Sequence, residues 1–81
     1  MNEYLATFHT HLSALLTFQA LQGADCRAKM QPVPRTLSSS CGTCVRFWAA
    51  DDCRALLDTD AEGLYAVTPD GFRLLWREKE G

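Results

Sequence analysis

The chain has 81 residues, a mass of 9.0 kDa and a net charge of −2, which comes from eight Lys and Arg against ten Asp and Glu. Its 47% hydrophobic and 22% charged residues are typical of a globular protein and exclude collagen, a coiled coil and a disordered chain. No basic run is long enough to follow a phosphate backbone, so nucleic acid is not an expected partner. We expect one domain over residues 1–81, small enough to gain stability from a partner subunit.

Membrane insertion and secretion are not expected either. The longest apolar stretch, residues 12–24, is interrupted by Ser, Thr and Gln and falls short of the roughly 20 residues that span a bilayer. The first residues, Met-Asn-Glu-Tyr, lack the basic region and apolar run of a secretion signal. We therefore predict a cytoplasmic location, where cysteines remain thiols available for chemistry. The cysteines of the chain are Cys26, Cys41, Cys44 and Cys53.

The first third of the chain predicts a strand followed by a helix. The apolar run over residues 3–8 is typical of a strand buried on both faces. Thr10 is the expected N-cap of the helix, and Gly23 is its expected left-handed stop. Leu12 and Leu16 lie on a separate side of that helix and predict either a homodimer or a docking surface for a partner. The residues spaced as the core-facing stripe of the helix are Ala14, Leu15, Phe18 and Leu21.

The middle of the chain predicts two more strands and a short second helix. Apolar and polar residues alternate over residues 26–31, which is typical of a strand with one buried face, and the segment Pro32–Pro34 ends it. A polar loop then leads to a third strand, Cys44–Trp48. The carboxylates of Asp51 and Asp52 are suited to the positive N-terminal end of a second helix.

The last third predicts a hairpin. Residues 64–67 are the fourth strand, and Pro69–Gly71 is a turn in which proline and glycine supply the backbone angles. A fifth strand over residues 72–76 folds back from this turn, and the charged end, residues 77–80, is expected to fray. The order of elements predicts an α+β fold of the ferredoxin-like type, an antiparallel sheet with two helices on one face, plus an extra C-terminal hairpin strand.

A right-handed crossover through the first helix has a consequence for the loop before the third strand. The crossover places the end of the first strand and the start of the helix at the edge of the sheet where the second strand turns into the third. We therefore expect His9, Thr10 and His11 to face the loop over residues 38–44.

The Cys41-Gly42-Thr43-Cys44 motif has the most specific chemical meaning in the sequence, because a two-residue spacing lets two sulfurs approach each other or one metal ion. Gly42 lets backbone amides come close to a bound group, and the serines before it supply hydroxyl donors, so the loop is suited to hold an anion. The helix start, together with Arg35 or Arg46, would lower the pKa of Cys41 and favour its thiolate. The candidate binding residues around that thiolate are His9, Thr10, Arg35, Ser39, Ser40, Gly42 and Arg46.

Four segments give the chain a resemblance to a known family. They are Tyr4–His9, Pro32–Arg35, Ser38–Gly42 and Val45–Phe47, in this order along the chain. On these motifs the chain resembles the small bacterial proteins of the selenium/sulfur carrier protein-like family. The resemblance implies a carrier rather than an enzyme, without a cofactor, that holds sulfur or selenium as a persulfide or selenopersulfide on Cys41. It also implies donor and acceptor proteins as partners.

Other interpretations of the cysteines stay open. Cys44 starts an alternating strand, so it is either a core residue or a resolving thiol that releases cargo by forming a disulfide. Cys41 and Cys44 could instead supply half of a structural zinc site, completed by nearby histidines or a second subunit, or act as a dithiol redox pair. Cys26 and Cys53 fall on predicted apolar faces and are interpreted as core residues.

Overall fold

In the computed structural model, which describes residues 1–78, the chain forms a five-stranded antiparallel sheet with an α-helix on one face. The elements in chain order are β1 (Asn2–Phe8), α1 (His11–Gly23), β2 (Arg27–Pro32), β3 (Thr43–Ala49), β4 (Ala61–Thr68) and β5 (Gly71–Arg77). The strands lie in the order β2-β3-β1-β4-β5, and every neighbouring pair is antiparallel. The predicted α+β class and the extra C-terminal hairpin strand are confirmed.

Both faces of the sheet are covered, but by different parts of the chain. The helix-side core consists of Tyr4, Ala6, Phe8, Ala14, Leu21, Val45, Phe47, Ala49, Ala61, Leu64 and Ala66. On the opposite face, Leu5, Cys44 and Tyr65 form a smaller cluster, against which Val33 and Leu37 of the loop after β2 are packed. Since β1 contributes to both clusters, the prediction of a strand buried on both faces is confirmed.

The helix α1 begins as predicted but buries a more polar face. The Thr10 hydroxyl accepts a 3.1 Å hydrogen bond from the Ser13 amide, so Thr10 is its N-cap. Ser13 and Thr17 are buried beside Ala14 and Leu21, because both have polar partners on one residue of the β3–β4 connection. Ser13 donates to the Asp58 carboxylate at 2.7 Å, and Thr17 accepts from the Asp58 amide at 2.9 Å.

The end of α1 differs from the prediction. Gly23 is its last residue, yet the left-handed conformation occurs at Asp25, with φ of +62°. The Ala24 amide donates to the Ala20 carbonyl at 3.1 Å, and the Asp25 amide donates to the Gln22 carbonyl at 3.0 Å. Carbonyl groups of the last turn are thus satisfied two residues beyond the predicted stop. No helix within residues 1–78 combines the length and the apolar character needed to cross a membrane.

The predicted second helix is wrong. Over the residues that the structure describes, α1 is the only α-helix, and the β3–β4 connection contains just a 3₁₀ turn at Arg54–Leu56. The Asp51 carboxylate accepts from the Cys53 amide at 2.8 Å, and the Asp52 carboxylate accepts from the Arg54 amide at 3.2 Å. These local bonds compete with helix formation. Cys53 itself has φ of +49°, which no α-helix accommodates.

The crossover through α1 brings together the segments that it was predicted to join. The Nδ1 atom of His9, just after β1, lies 3.3 Å from the Ser40 hydroxyl. The Nδ1 atom of His11, in the first turn of α1, lies 3.4 Å from the Thr43 hydroxyl. The prediction that this corner faces the loop before β3 is therefore confirmed for His9 and His11, whereas the Thr10 hydroxyl caps α1.

Candidate functional site

The loop between β2 and β3, residues 33–42, is closed by a hydrogen bond between its two ends and contains a second one near its start. The Val33 amide donates to the Gly42 carbonyl at 3.1 Å, and the Leu37 amide donates to the Pro34 carbonyl at 3.0 Å. Gly42 has φ of +74°, a backbone conformation that is strained for residues with a side chain. The space beside it is open, since a Cβ added to it would meet no atom within 4 Å. The glycine therefore turns the chain into β3 and leaves open space beside Cys41.

The serines of this loop hold a carboxylate of the protein itself, that of Glu62 in β4. The Ser40 amide donates to Glu62 Oε1 at 2.9 Å, and the Ser40 hydroxyl donates to Oε2 at 3.0 Å. The Ser39 hydroxyl, 3.0 Å from Oε1, also lies 2.8 Å from the Phe8 carbonyl oxygen and shares its proton between these acceptors. The loop is thus an anion site, as its composition predicted, and Glu62 fills it.

These bonds determine the charge state of Glu62. Burial alone would raise the pKa of this carboxyl group, but the amide of Ser40, the hydroxyls of Ser39 and Ser40, and the nearby imidazole of His9 all favour the charged form. Their combined effect is a pKa below the ordinary value of 4.5. Glu62 is therefore a carboxylate at neutral pH.

The imidazole of His9 lies between two carboxylates. Its Nε2 atom is 2.6 Å from the Glu78 carboxylate, and its Nδ1 atom is 3.6 Å from that of Glu62. The hydrogen bond to Glu78 raises the pKa of His9 above 6.5, and the charges of Glu62, Glu78 and Asp60 act in the same direction against partial desolvation. The surroundings of His9 thus favour the charged form of its imidazole next to the serine loop.

Cys41 lies on the helix side of the sheet and is partly exposed. Its thiol donates to the Thr43 carbonyl oxygen at 3.4 Å and lies 3.9 Å from the Ser39 hydroxyl. It also packs against the helix-side core. Because the Thr43 hydroxyl in turn contacts His11, the thiol is linked through one residue to the start of α1.

The second cysteine of the motif has a different environment. Cys44 is fully buried in the cluster on the opposite face of the sheet, where its thiol donates to the Pro32 carbonyl at 3.6 Å. Burial raises the pKa of Cys44 to about 11, although the charge of Arg46 acts in the opposite direction. Cys41 and Cys44 therefore contribute to different cores, and all four cysteines of the chain are free thiols.

The two arginines named from the sequence do not contact Cys41. Arg46 forms an ion pair with Glu3 and donates to Gln31 Oε1 at 3.3 Å. Arg35 is exposed and pairs with no acidic side chain of residues 1–78. Thr10 uses its hydroxyl as the helix cap. Of the candidate binding residues, His9, Ser39 and Ser40 are the ones that the structure brings together, around the Glu62 carboxylate.

Two site residues were not identified from the sequence, Glu62 and Glu78. Glu62 lies ahead of the predicted fourth strand because β4 begins at Ala61. Glu78 was assigned to a frayed end, yet its amide donates to the Glu62 carbonyl at 3.0 Å; the rest of that segment, residues 79–81, lies outside the described residues. A signal did exist, since continuing the hairpin register from the predicted turn places Glu62 beside the end of β5.

The network opens onto a polar recess of about 330 Å³. His9, Ser40 and Glu62 line it, together with Arg77 and Glu78. A metal ion would need three or more closely placed ligands, and nowhere in residues 1–78 do His, Cys, Asp or Glu side chains form such a group. Cys41 is not among the residues that line the recess; its thiol is joined to the network through the Ser39 hydroxyl.

Comparison with known proteins agrees with the motifs of the loop. Residues 3–65 match the family described as "Putative Se/S carrier protein-like". A curated relative, "Uncharacterized protein YtiA" of Escherichia coli (strain K12), is 36% identical over 45 residues, which cover 56% of this chain and 53% of the relative. The chain therefore spans about half the length of that relative, and no solved structure matches it significantly. Because the family match covers well over half of its length, the chain belongs to the Se/S carrier protein-like family.

Proposed function

We propose that this protein carries sulfur or selenium on Cys41, as a persulfide or a selenopersulfide. The observation that carries the proposal is the contrast within one motif: Cys41 is partly exposed in a loop rich in hydrogen-bond donors, whereas Cys44 is fully buried. The membership of the chain in the Se/S carrier protein-like family also supports the proposal. The proposed role is carriage without catalysis.

The loading step exchanges one sulfur–sulfur bond for another. The Cys41 thiolate attacks the outer sulfur of a donor persulfide, the sulfur–sulfur bond of the donor breaks, and a new one forms at Cys41. The donor leaves as a thiolate and takes up the proton that Cys41 gave up. The exchange is neutral in redox terms, so it needs no cofactor and no further reactant.

The surroundings of Cys41 suit a terminal sulfur atom. The Ser39 hydroxyl lies 3.9 Å from the thiol, and a charged sulfur would compete with the Glu62 carboxylate and the Phe8 carbonyl for its proton. Gly42 has no side chain, so an incoming donor meets no obstruction on that side. His9 offsets the negative charge that Glu62 adds to the loop, since its imidazole lies 3.6 Å from that carboxylate.

Partner proteins would approach the end of α1 that lies next to this loop. Leu12 and Leu16 in the first turns of α1 are 62% and 44% exposed, and His11 beside them contacts Thr43 of the motif. An apolar surface next to a reactive thiol suits a transient complex with a donor or acceptor protein. The same two leucines are the proposed contact of a homodimer.

Intact mass measurement after treatment with glutathione persulfide tests the proposal. The reduced protein should gain the mass of one sulfur atom, and the gain should be lost on reduction with dithiothreitol. Trypsin releases Cys41 and Cys44 on one peptide, residues 36–46. In the C44A variant Cys41 is the only cysteine of this peptide, so the modified residue is identified directly.

The variants separate the candidate thiols. We expect C44A to load like the wild type and C41S to lose the added sulfur on peptide 36–46. Loading of Cys44 in C41S, or a wild-type protein that stays unmodified while Cys41 is still alkylated by iodoacetamide, would overturn the proposal. Circular dichroism of C41S shows whether the variant is folded, and C41A gives a second test with a smaller side chain.

A further inference from the structure

The thiols of Cys26 and Cys53 lie against each other, with their Sγ atoms 3.8 Å apart. Both are partly exposed, and both pack on the helix-side core. Burial, and then the neighbouring Cys26, raise the pKa of Cys53 to about 12, so Cys53 is a neutral thiol at neutral pH. From the sequence, Cys26 and Cys53 are interpreted as core residues, but packing in a core does not require two thiols to be in contact.

This pair is separate from the proposed carrier thiol. Cys26 directly precedes β2, whose first residue, Arg27, pairs with Trp48 near the end of β3. Cys53 follows β3 in the connection to β4. The loop with Cys41, in contrast, lies at the other end of the same strand pair, where Pro32 pairs with Thr43. A role for Cys26 and Cys53 is therefore independent of the proposed carrier function.

The position of Cys53 allows the two sulfurs to come closer. A disulfide needs a sulfur–sulfur distance of about 2.05 Å, so the pair must close by roughly 1.8 Å from its present separation. Cys53 precedes the 3₁₀ turn at Arg54–Leu56, in which no residue is buried. Leu56 of this turn is partly buried against the helix-side core, so closing the sulfur–sulfur distance needs a small shift of the connection but moves no fully buried side chain of the turn.

We propose that Cys26 and Cys53 are a redox-active pair that a hydroperoxide converts into an intramolecular disulfide. The thiol of one cysteine gives up its proton as its sulfur attacks the peroxide; the oxygen–oxygen bond breaks, and the released hydroxide takes up that proton, which gives a sulfenic acid and one molecule of water. The second thiol then displaces the sulfenic oxygen as a second water molecule, and the sulfur–sulfur bond forms. In total, the two thiols lose two electrons and two protons, and hydrogen peroxide is reduced to two water molecules.

The bond would join the two connections that flank the edge of the sheet. One is the turn from α1 into β2, and the other is the β3–β4 connection, which holds α1 through Asp58. Cys26 and Cys53 are 27 residues apart in the chain. A disulfide that closes this loop restricts the unfolded chain, so the oxidised protein should unfold at a higher temperature than the reduced one. Oxidation would thus change the stability of the carrier without using its cargo thiol.

Peptide mapping after treatment with hydrogen peroxide tests this proposal. Trypsin places Cys26 on residues 1–27 and Cys53 on residues 47–54, whereas Cys41 and Cys44 share residues 36–46. We expect a cross-link between the first two peptides in monomeric wild type and in C41S, and none in C26S or C53S. The midpoint of thermal unfolding should rise by about 10 °C or more on oxidation, and dithiothreitol should reverse the rise.

Three results would overturn the proposal. The first is that both thiols are still free after the peroxide treatment, as shown by their alkylation once the protein has been unfolded. The second is that peptides 1–27 and 47–54 gain oxygen atoms without becoming linked. The third is a link that occurs only between two chains, which a non-reducing gel detects. Because C41S retains the pair, failure here leaves the carrier proposal unaffected, and the reverse also holds.

Discussion

The backbone amide of Ser40 donates a 2.9 Å hydrogen bond to the carboxylate of Glu62. This contact joins the loop before β3 to the start of β4, two segments that are 22 residues apart. The loop was predicted to hold an anion, and the anion is a side chain of the same protein. The amide and hydroxyl of Ser40 and the hydroxyl of Ser39 are therefore engaged by groups of the protein itself.

We expect Glu62→Gln to destabilise the protein by about 1–2 kcal/mol, since hydrogen bonds to a charged group are worth more than neutral ones and Glu62 is mostly buried. The midpoint of thermal unfolding should fall by about 5–10 °C, and the Ser40 amide should exchange its hydrogen faster. The matched control is Asp52→Asn, whose ion pair with Arg54 is more exposed and should contribute little. Equal effects of the two substitutions would contradict the central place of Glu62.

The elements that could be predicted from the sequence have local signals. β1 shows a continuous apolar run, Thr10 has a capping side chain, and the Pro69–Gly71 segment encodes the turn between β4 and β5. In each case a few neighbouring residues determine the backbone. The prediction of a second helix was wrong because its local signal is ambiguous. The carboxylates of Asp51 and Asp52 are suited to a helix start, but they are equally suited to accept hydrogen bonds from the amides of the turn in which they lie.

The parts of the site that could not be predicted depend on contacts between distant segments. The predicted turn indicates that Glu62 lies near the end of β5, but it does not predict the register shift between Leu64 and Tyr65 that places Glu62 beside Glu78. The buried Ser13 is another case, because a helix face is predicted from apolar spacing, whereas its partner is 45 residues away. The Cys41 loop itself was located because its glycine and serines are contiguous in the chain.

The charges around His9 predict a defined pH dependence. The pKa of His9 is raised above 6.5, so its contribution to stability is complete below pH 6.5 and is lost as the pH rises through the raised value. The pKa of Glu62 is lowered below 4.5, so its contribution is complete above pH 4.5 and is lost as the pH falls through the lowered value. The network should therefore stabilise the fold most between pH 4.5 and 6.5.

NMR titration of the imidazole protons measures the first of these values, with His11→Gln used to assign the signals. Glu78→Gln should lower the pKa of His9 toward 6.5, because the hydrogen bond to Glu78 is the largest cause of its rise. Asp60→Asn should lower it less, since Asp60 acts only through its charge. If neither substitution moves the His9 titration, the interaction with Glu78 does not persist in solution.

The helix cap offers a test of how α1 is positioned against the loop. Thr10→Ala removes the acceptor of the Ser13 amide and should lower the free energy of unfolding by about 1 kcal/mol. Thr10→Ser keeps the hydroxyl and should stay within a few tenths of a kcal/mol of the wild type. Urea denaturation of the three proteins measures the difference. An equal loss in both variants would indicate that the methyl group of Thr10, and not its hydroxyl, matters.

The two cysteines of the motif should differ strongly in reactivity. A rise in the pKa of Cys44 from 9.0 to about 11 lowers its thiolate fraction about 100-fold at neutral pH, and its full burial slows access further. In C41S, iodoacetamide should therefore modify peptide 36–46 far more slowly than in C44A. Both variants should react at similar rates in concentrated urea. Fast alkylation of Cys44 in the folded protein would show that the opposite face of the sheet opens readily.

The exposed leucines of α1 predict self-association or docking at the end of the helix next to the loop. If Leu12 and Leu16 form a homodimer contact, light scattering of the wild type at micromolar concentration should give twice the 9.0 kDa mass of the chain. Leu12→Glu should then return the protein to a monomer, because a buried carboxylate at an apolar contact is costly. The matched control is Leu74→Glu on β5, where the side chain is 50% exposed on another part of the surface. A wild type that is already monomeric would remove the homodimer, and sulfur transfer from a donor protein, compared between Leu12→Glu and Leu74→Glu, would then test these leucines as a docking surface.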